Sequence, residues 1–563
     1  MRRSSLSSAV AALGVATALL GPAANAESAR AASPAHSGHA FVPPPLPTSG
    51  ELELFAQESA PLILQLTPAA SRAAETVLRA AGADPIGPQL RIWRLNGPGS
   101  ARAIARVKRM HALRAVEPDR TLRARPALAA WPPSDPLSAQ QWWVSTIGAN
   151  TVVPPPAGVP ITDVDTGLDL SHPEFAARPN TVALNAQTTT GDEDEAHGTA
   201  VASVIAAPEN GVGIVGVYPQ AALQAFDASP DELLDHGSII NGVLAAASRH
   251  AGVINLSLGG TSRDFIFQEA VAAAFGRGSL VVAAAGNEEA NGNPVVYPAS
   301  YPHVLTVAAT TEADAPTAFS SSSNAVDLAA PGQNIPVAVP LWMSPSGYVS
   351  ADGTSFAAPL VSGAAAWVWT ARTTLDVTQI FELMRRSARD VWRPGWDKDT
   401  GFGVLDIPNA LTFPAPAVDP QEPNDDVYLV KPNGLFRDGT ALILGGGRRS
   451  TSFGARLDAT EDPEDVFRVA LPPHSRLRVQ ISASARTSLE LWGPKTRTVY
   501  EKGAAKRRDL RAARGPSRTP HVSATNSSGK TVVVYVNAYL GKGVLDCRYS
   551  LHASLSRYSP SKR

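Results

Sequence analysis

Four short stretches of this 563-residue chain carry the residue types of nucleophilic acyl transfer. They are "DVDTGLD" with Asp165, "AHGTAVASVIAA" with His197, "VVAAAGN" with Asn287 and "DGTSFAAPLVSGAAA" with Ser355. A serine hydroxyl is a weak nucleophile until a base takes its proton. Histidine titrates near neutrality and can accept that proton and return it. A carboxylate fixes the imidazole tautomer and stabilises the imidazolium. An amide N–H2 aimed at the developing oxyanion adds about 3 kcal/mol. Taken singly, Ser355 reads as a helix cap, His197 as a structural histidine and Asn287 as a turn residue. Their joint occurrence, in the order Asp, His, Asn, Ser, points to acyl transfer on a serine.

Such groups need rigid elements to hold them. Asp165 ends the apolar strand "GVPITDVD", where parallel sheets gather active-site residues. His197 opens a helix of small residues, and Ser355 falls at the expected start of another, near the positive end of its dipole. Pro359 is expected within that helix's first turn, where a missing N–H costs little. "VINLSL", "SLVVAAAG" and "HVLTVAA" are further continuous apolar strands between alanine-rich helical runs. The pattern predicts an α/β fold, a parallel sheet covered by helices on both faces. Asp163 adds a second carboxylate to the Asp165 strand, and the sequence shows no partner for it. His172 in "SHPEF" and His303 in "YPHV" read as structural.

The stretches "DVDTGLD", "HGTAVAS", "INLSLGG", "VVAAAGN", "YPASYP" and "GTSFAAP" together resemble the subtilisin-like serine peptidases, from about Ser134 to Leu411. The resemblance implies a triad of Asp165, His197 and Ser355, with Asn287 and the Ser355 N–H as oxyanion donors. It implies peptide substrates paired with Ser257, Leu258, Gly259 and Gly260, and more weakly with "LDHGS" around Gly237. S1 walls would come from Ser257 to Gly260 and from Ala284, Ala285 and Gly286, with Val296, before Tyr297-Pro298, as floor. A valine floor implies small or medium apolar P1 residues. No catalytic cofactor is implied. A structural calcium is, with Asp135, Glu174 and Asn210 as side-chain ligands and the carbonyls of Pro208, Val212 and Ile214 completing the shell. Glu174 stands where an aspartate is usual. Ala200 and Ser203 also depart from the common pattern, without removing a catalytic group.

Charge divides the chain. Trp131 to Leu411 holds 28 acidic and 10 basic residues, net −18. Glu27 to Ala130 holds 8 and 13, net +5; the stretch after Leu411 holds 14 and 24, net +10. An acidic centre between basic flanks indicates separate domains. Residues 1–26 read as a signal peptide: Arg2 and Arg3, an apolar run too short to span a bilayer, then Ala24-Asn25-Ala26. Secretion and an extracellular location are expected. A Pro/Ala/Ser-rich linker over 27–51 leads to a small α+β unit over 52–130, similar in placement to the inhibitor-type propeptides of these peptidases, which template folding and block the cleft. The peptidase unit takes 131–412, a proline-rich linker 413–424, and an all-β sandwich 425–563, similar to modules that follow many secreted bacterial peptidases. Cys547 is the only cysteine, so no internal disulfide forms. Lys495 to Arg518 reads as a basic loop suited to anionic surfaces; neither nucleic acid nor a transmembrane segment is expected. The reading is a secreted, self-processing serine endopeptidase. Its alternatives are an esterase with the same triad and a non-catalytic binding protein on this scaffold.

Overall fold

The structure is a computed structural model. It describes residues 62–67, 70–87, 91–95, 100–118, 134–189, 191, 193–229, 234–249 and 251–558. The signal peptide, the 27–51 linker and the maturation region between Arg123 and Ser134 lie outside the described residues, apart from Ser134 itself. The chain divides into two compact units, one of which includes the described residues 62–118.

That unit is a four-stranded antiparallel sheet with two helices. β1 (Leu62–Leu66), α1 (Arg72–Ala80), β2 (Asp84–Gly87), β3 (Ile92–Leu95), α2 (Ser100–Arg109) and β4 (Leu113–Pro118) follow in order, and the sheet runs β2-β3-β1-β4. Leu62, Leu64 and Leu66 alternate into a core with Leu78, Ile104 and Val107. Ile63 and Gln65 take the other face and are half-buried, as a period of two requires.

The larger unit carries the α/β fold. β5 (Ile161–Asp165), β6 (Thr181–Ala183), α3 (His197–Ala206), β7 (Leu223–Asp227), α4 (His236–Arg249), β8 (Val253–Leu256), α5 (Phe265–Gly276), β9 (Leu280–Ala284), β10 (Val304–Thr310) and β11 (Leu328–Pro331) come first. A hairpin, β12 (Ile335–Ala338) with β13 (Tyr348–Ala351), leads to α6 (Thr354–Ala371) and α7 (Val377–Arg386). The seven strands run β11-β10-β9-β8-β5-β7-β6, all parallel. Most are buried along their whole length, which is why they read as unbroken apolar runs. The chain leaves β5 for β7 and β6 on one side and returns to β8 on the other. The carboxyl end of β5 is thus a topological switch point, and Asp165 is its last residue. α6 is buried nearly all round; its alanines pack in the core beside the sheet, and Gly363 makes room for Val217 and the Ile205 carbonyl of α3.

The same unit includes two further sheets, β14-β16-β21-β18-β19 and β15-β22-β17-β20. Their strands are β14 (Leu442–Leu444), β15 (Ser450–Asp458), β16 (Glu464–Leu471), β17 (Ser475–Ala483), β18 (Thr487–Trp492), β19 (Leu510–Ser517), β20 (His521–Asn526), β21 (Val532–Leu540) and β22 (Asp546–Arg557). Alternating burial in β17 and β22 gives each one core face. Lys495 to Arg518 is not a loop: it contributes the helix Gly503–Asp509 and β19, which pairs with β18. Part of its charge is internally paired, Lys506 with Glu490 at 2.9 Å and Arg508 with Asp509 at 2.7 Å.

The β module is joined to the peptidase fold through buried charge. From α7, Arg385 meets Asp458 at 2.7 Å, and Arg386 pairs with Asp546. Glu382 faces Arg456 at 3.6 Å and Arg548 at 3.5 Å. His303 Nε2 lies 2.7 Å from Asp425, and the His303 N–H donates to the Glu461 carbonyl at 3.2 Å. The stretch 413–424 runs along this join, where Asp419 accepts the Arg456 N–H at 3.1 Å.

Candidate active site

His197 is the first residue of α3, and its Nδ1 lies 2.7 Å from Asp165 Oδ1. The same oxygen accepts the Thr166 N–H at 2.8 Å. Asp165 is buried, and its Oδ2 has no hydrogen-bond partner. Burial alone would lower the His197 pKa. The Asp165 charge and hydrogen bond outweigh it, and the net shift is upward. Gly198, next along, packs so closely on the Gly167 carbonyl that no Cβ fits between them. The end of β5 and the start of α3 meet there, which sets the His–Asp distance.

Ser355 is the second residue of α6. Its Oγ donates to the Ser257 carbonyl at 3.1 Å, and Ser257 Oγ donates back to the Ser355 carbonyl at 2.9 Å. Pro359 sits sixth in this helix, beyond the first turn where it was expected. Its missing N–H would have bonded the Ser355 carbonyl four residues earlier, so that carbonyl is left for Ser257.

Asn287 lies three residues past β9, after Gly286 at φ +106°. Asn287 Oδ1 accepts both the N–H and the hydroxyl of Thr354, each at 2.9 Å. That fixes the amide, with Nδ2 left for the cleft that Asn287 lines beside His197 and Ser355. Such an arrangement can activate a hydroxyl, carry its proton and stabilise an oxyanion.

The cleft also contains Leu234, Ser257, Leu258, Gly259, Ala284, Gly286 and Val296. Val296 wedges between two walls: a Cβ on Gly259 would come within 2.8 Å of its Cγ1, and one on Gly286 within 2.8 Å of its Cγ2. Three expected substrate contacts lie elsewhere. Gly260 has its N–H and carbonyl occupied by Tyr297, at 2.9 and 2.8 Å. Ala285, one residue out of phase with Ala284 and Gly286, packs with Ala308, Val326 and Ala329. Gly237 falls in the first turn of α4, and Leu234 takes the place at the cleft. Sequence reasoning missed Glu288, Thr166 and Thr354, all in the lining. Their adjacency to Asn287, Asp165 and Ser355 was the available signal. Glu288 makes the pocket less apolar than expected; Ser321 donates to its carboxylate at 3.1 Å.

The side chains expected to bind calcium are hydrogen-bonded to one another and to nearby N–H groups. Asp135 accepts the Asn210 and Gly211 N–H groups, and Asn210 Oδ1 accepts the Val212 N–H. Glu174 accepts the Ile214 N–H, the Tyr348 hydroxyl and Asn210 Nδ2. Burial pushes the Glu174 acid up to about 7. These bonds hold the Asp135, Glu174 and Asn210 side chains together, in one loop with Pro208, Val212 and Ile214. The two other histidines have structural partners: His172 Nε2 lies 3.0 Å from the Gly347 carbonyl, and His303 meets Asp425. Ser203 bridges the Ala200 carbonyl and the Ala338 N–H within the core.

The model of the subtilase family, peptidase S8, matches residues 157–403. The subtilisin of Bacillus pumilus is 35% identical over 240 residues, which cover 41% of this chain and 84% of that protein. The chain belongs to the subtilase family. Subtilisin BL of Lederbergia lenta is 36% identical over 233 residues, with 84% of its length covered. Other relatives are covered less: 61% of subtilisin E of Bacillus subtilis, and 43% of fervidolysin of Fervidobacterium pennivorans at 32% identity. The fervidolysin crystal structure aligns over 83% of this chain and 85% of that one, at 20% identity and a TM-score of 0.45. As a subtilase, the chain is a subtilisin-like serine peptidase, and the match falls on the parallel-sheet fold that holds all four groups described above.

Proposed function

We propose that this subtilase is a secreted serine endopeptidase, made as a zymogen that processes itself and then cleaves protein or peptide substrates. The observation that carries the reading is the convergence of the Asp165–His197 pair, Ser355 and Asn287 on one cleft. Ser355 is the nucleophile, His197 the general base and then acid, and Asp165 holds the His197 tautomer and stabilises its cation. Asn287 Nδ2 and the Ser355 N–H receive the oxyanion. In the resting enzyme the Ser355 hydroxyl rests on the Ser257 carbonyl. A substrate N–H taking that carbonyl would release the hydroxyl towards His197.

The 52–130 segment is the inhibitory propeptide, and its net +5 complements the net −18 of 131–411. Removal follows cleavage between about Arg123 and Ser134. The enzyme acts outside the cell; among the described residues no helix is long and apolar enough to cross a membrane. S1 accepts small and medium apolar side chains above Val296, with Glu288 at its edge. The basic β module contributes contacts to anionic surfaces through the Lys495 to Arg518 charges that are not internally paired. No calcium is assigned to the Asp135–Glu174–Asn210 loop.

The decisive experiment treats the purified secreted protein with a fluorophosphonate probe and with casein. Labelling at Ser355 with casein cleavage is expected. Labelling with hydrolysis of simple esters alone would make it an esterase, and no labelling would leave a binding protein. Ser355→Ala should accumulate the uncleaved precursor. Normal processing of that purified variant, with no added protease, would refute self-processing.

A further inference from the structure

Asp163 takes no part in the mechanism above, yet it is 3% exposed and lies two residues before Asp165 on β5. Its Oδ1 accepts Asn255 Nδ2 at 2.9 Å, from the neighbouring strand β8. The other bonds of Asn255 lead to the nucleophile. Its Nδ2 also donates to Ser257 Oγ at 3.0 Å, and its Oδ1 accepts the Ser362 hydroxyl of α6 at 2.7 Å. Ser257 Oγ in turn donates to the Ser355 carbonyl, the one whose i+4 N–H is missing at Pro359.

We propose that Asp163 is a positioning residue for Ser355, acting through Asn255 and Ser257. This rests on the peptidase reading given above. The chain has a direction, and the acceptor at Asp163 sets it. A side-chain amide has a donor end and an acceptor end, and a hydroxyl has a single proton. With an acceptor at Asp163, Asn255 turns its N–H2 towards Asp163 and Ser257. Ser257 Oγ then receives a proton from Asn255, and its own is free for the Ser355 carbonyl. Without that acceptor, an N–H of Asn255 is left buried and unpaired, at about 1–3 kcal/mol. The amide relieves this by rotating, which presents Oδ1 to Ser257. The serine proton then goes to Asn255, and the Ser355 carbonyl loses the Ser257 hydroxyl. The first turn of α6, which aims Ser355 Oγ and supplies the Ser355 N–H, is then held less firmly. A small misplacement of that kind is costly to a reaction that depends on orientation.

Burial, and the Asp165 carboxylate nearby, push the Asp163 acid well above the usual carboxylate range, against a smaller pull from Asn255. That shift favours the neutral carboxyl. Asp163→Asn keeps an acceptor oxygen, whereas Asp163→Val removes the acceptor.

The test uses the mature enzyme from the full chain, a chromogenic peptide substrate and a fluorophosphonate control on wild type. Asp163→Val and Ser257→Ala are each expected to lower kcat about tenfold with KM within twofold. Asp163→Asn should stay within twofold of wild type in both constants, and the Val/Ala double variant should be no slower than Ser257→Ala alone. A merely structural residue would lower the melting temperature and leave kcat per labelled site unchanged. The proposal is overturned if Asp163→Val keeps kcat within twofold, or if the two losses multiply to about a hundredfold. If Asp163→Val does not fold, Ser257→Ala decides: full kcat there overturns the proposal, and a tenfold loss with Asp163→Asn unimpaired supports it. Should wild type fail to react with the probe, the peptidase reading falls, and crystal structures still test the relay. Ser257 Oγ moving away from the Ser355 carbonyl in Asp163→Val supports it, and an unchanged bond overturns it.

Discussion

Asp458→Ala should destabilise the larger unit by about 3 kcal/mol, although it lies in the β module far along the chain from Ser355. Asp458 accepts from Arg385 at 2.7 Å, and the Arg385 side chain is 3% exposed between Phe381 and Phe402. Burial by itself would raise the Asp458 acid, but Arg385 and Arg456 hold it down at about 2. Set against about 3.9 in an unfolded chain, that depression corresponds to roughly 2–3 kcal/mol at neutral pH. Removing one partner of a buried pair costs about 3–5 kcal/mol, because the other charge stays behind. Arg385 keeps Asp327 at 2.9 Å, so the low end applies. For a unit of this size each kcal/mol shifts the thermal midpoint by roughly 2 °C, giving a fall of about 6 °C. Differential scanning calorimetry of the Ser355→Ala background, which avoids self-digestion, measures it. Arg385→Met should cost more than Asp458→Ala, since it takes the guanidinium away from both Asp458 and the buried Asp327. The depressed acid also fixes a sign: its contribution is full above about pH 4 and is lost as pH falls towards 2. A midpoint within 1 °C of the parent for Asp458→Ala would show that the pair does not hold the module in place.

Asn287→Ala should lower kcat by about 10²- to 10³-fold with little change in KM, read from peptide hydrolysis, because its amide meets charge that develops only on the way to the oxyanion. Val296→Gly should move kcat/KM towards Phe and Tyr at P1 by about 1–3 kcal/mol; a wild type that already prefers them would remove Val296 as the floor. Burial pushes the acids of Asp327 and Asp419 up to about 7 and Glu464 up to about 8. Raised acids bind more protons folded than unfolded, so in chelator-containing buffer their contribution to stability is full below about pH 4 and declines as pH rises to about 8. Urea denaturation across that range should show this fall, and replacing Glu464 with Gln should flatten it.

The chemistry was legible in the sequence because it is local. Asp165, His197, Asn287 and Ser355 each sit beside a strand end or helix start whose apolar or small-residue pattern is visible within about ten residues. Four of the seven strands of the parallel sheet, β5, β8, β9 and β10, were also legible, since burial on both faces makes them mostly apolar; β6, β7 and β11 were not singled out. What the tertiary structure alone decided are relations between distant segments. Asp163 gained its partner from β8, 92 residues on, and Pro359 its meaning from Ser257. Gly260 was lost to Tyr297, and Ala285 to the core through a phase that adjacent letters do not reveal. The expected calcium loop closed on its own N–H groups, a matter of where backbone donors point. The basic run after Lys495 became a helix and a strand because β18 offered an edge to pair with. The β module, separated in sequence by a proline-rich stretch, was drawn into one unit with the peptidase fold by Arg385, Arg386 and Glu382. Composition shows that a chain carries charges; only the folded arrangement shows which of them are buried together, and burial is what makes the loss of one partner costly.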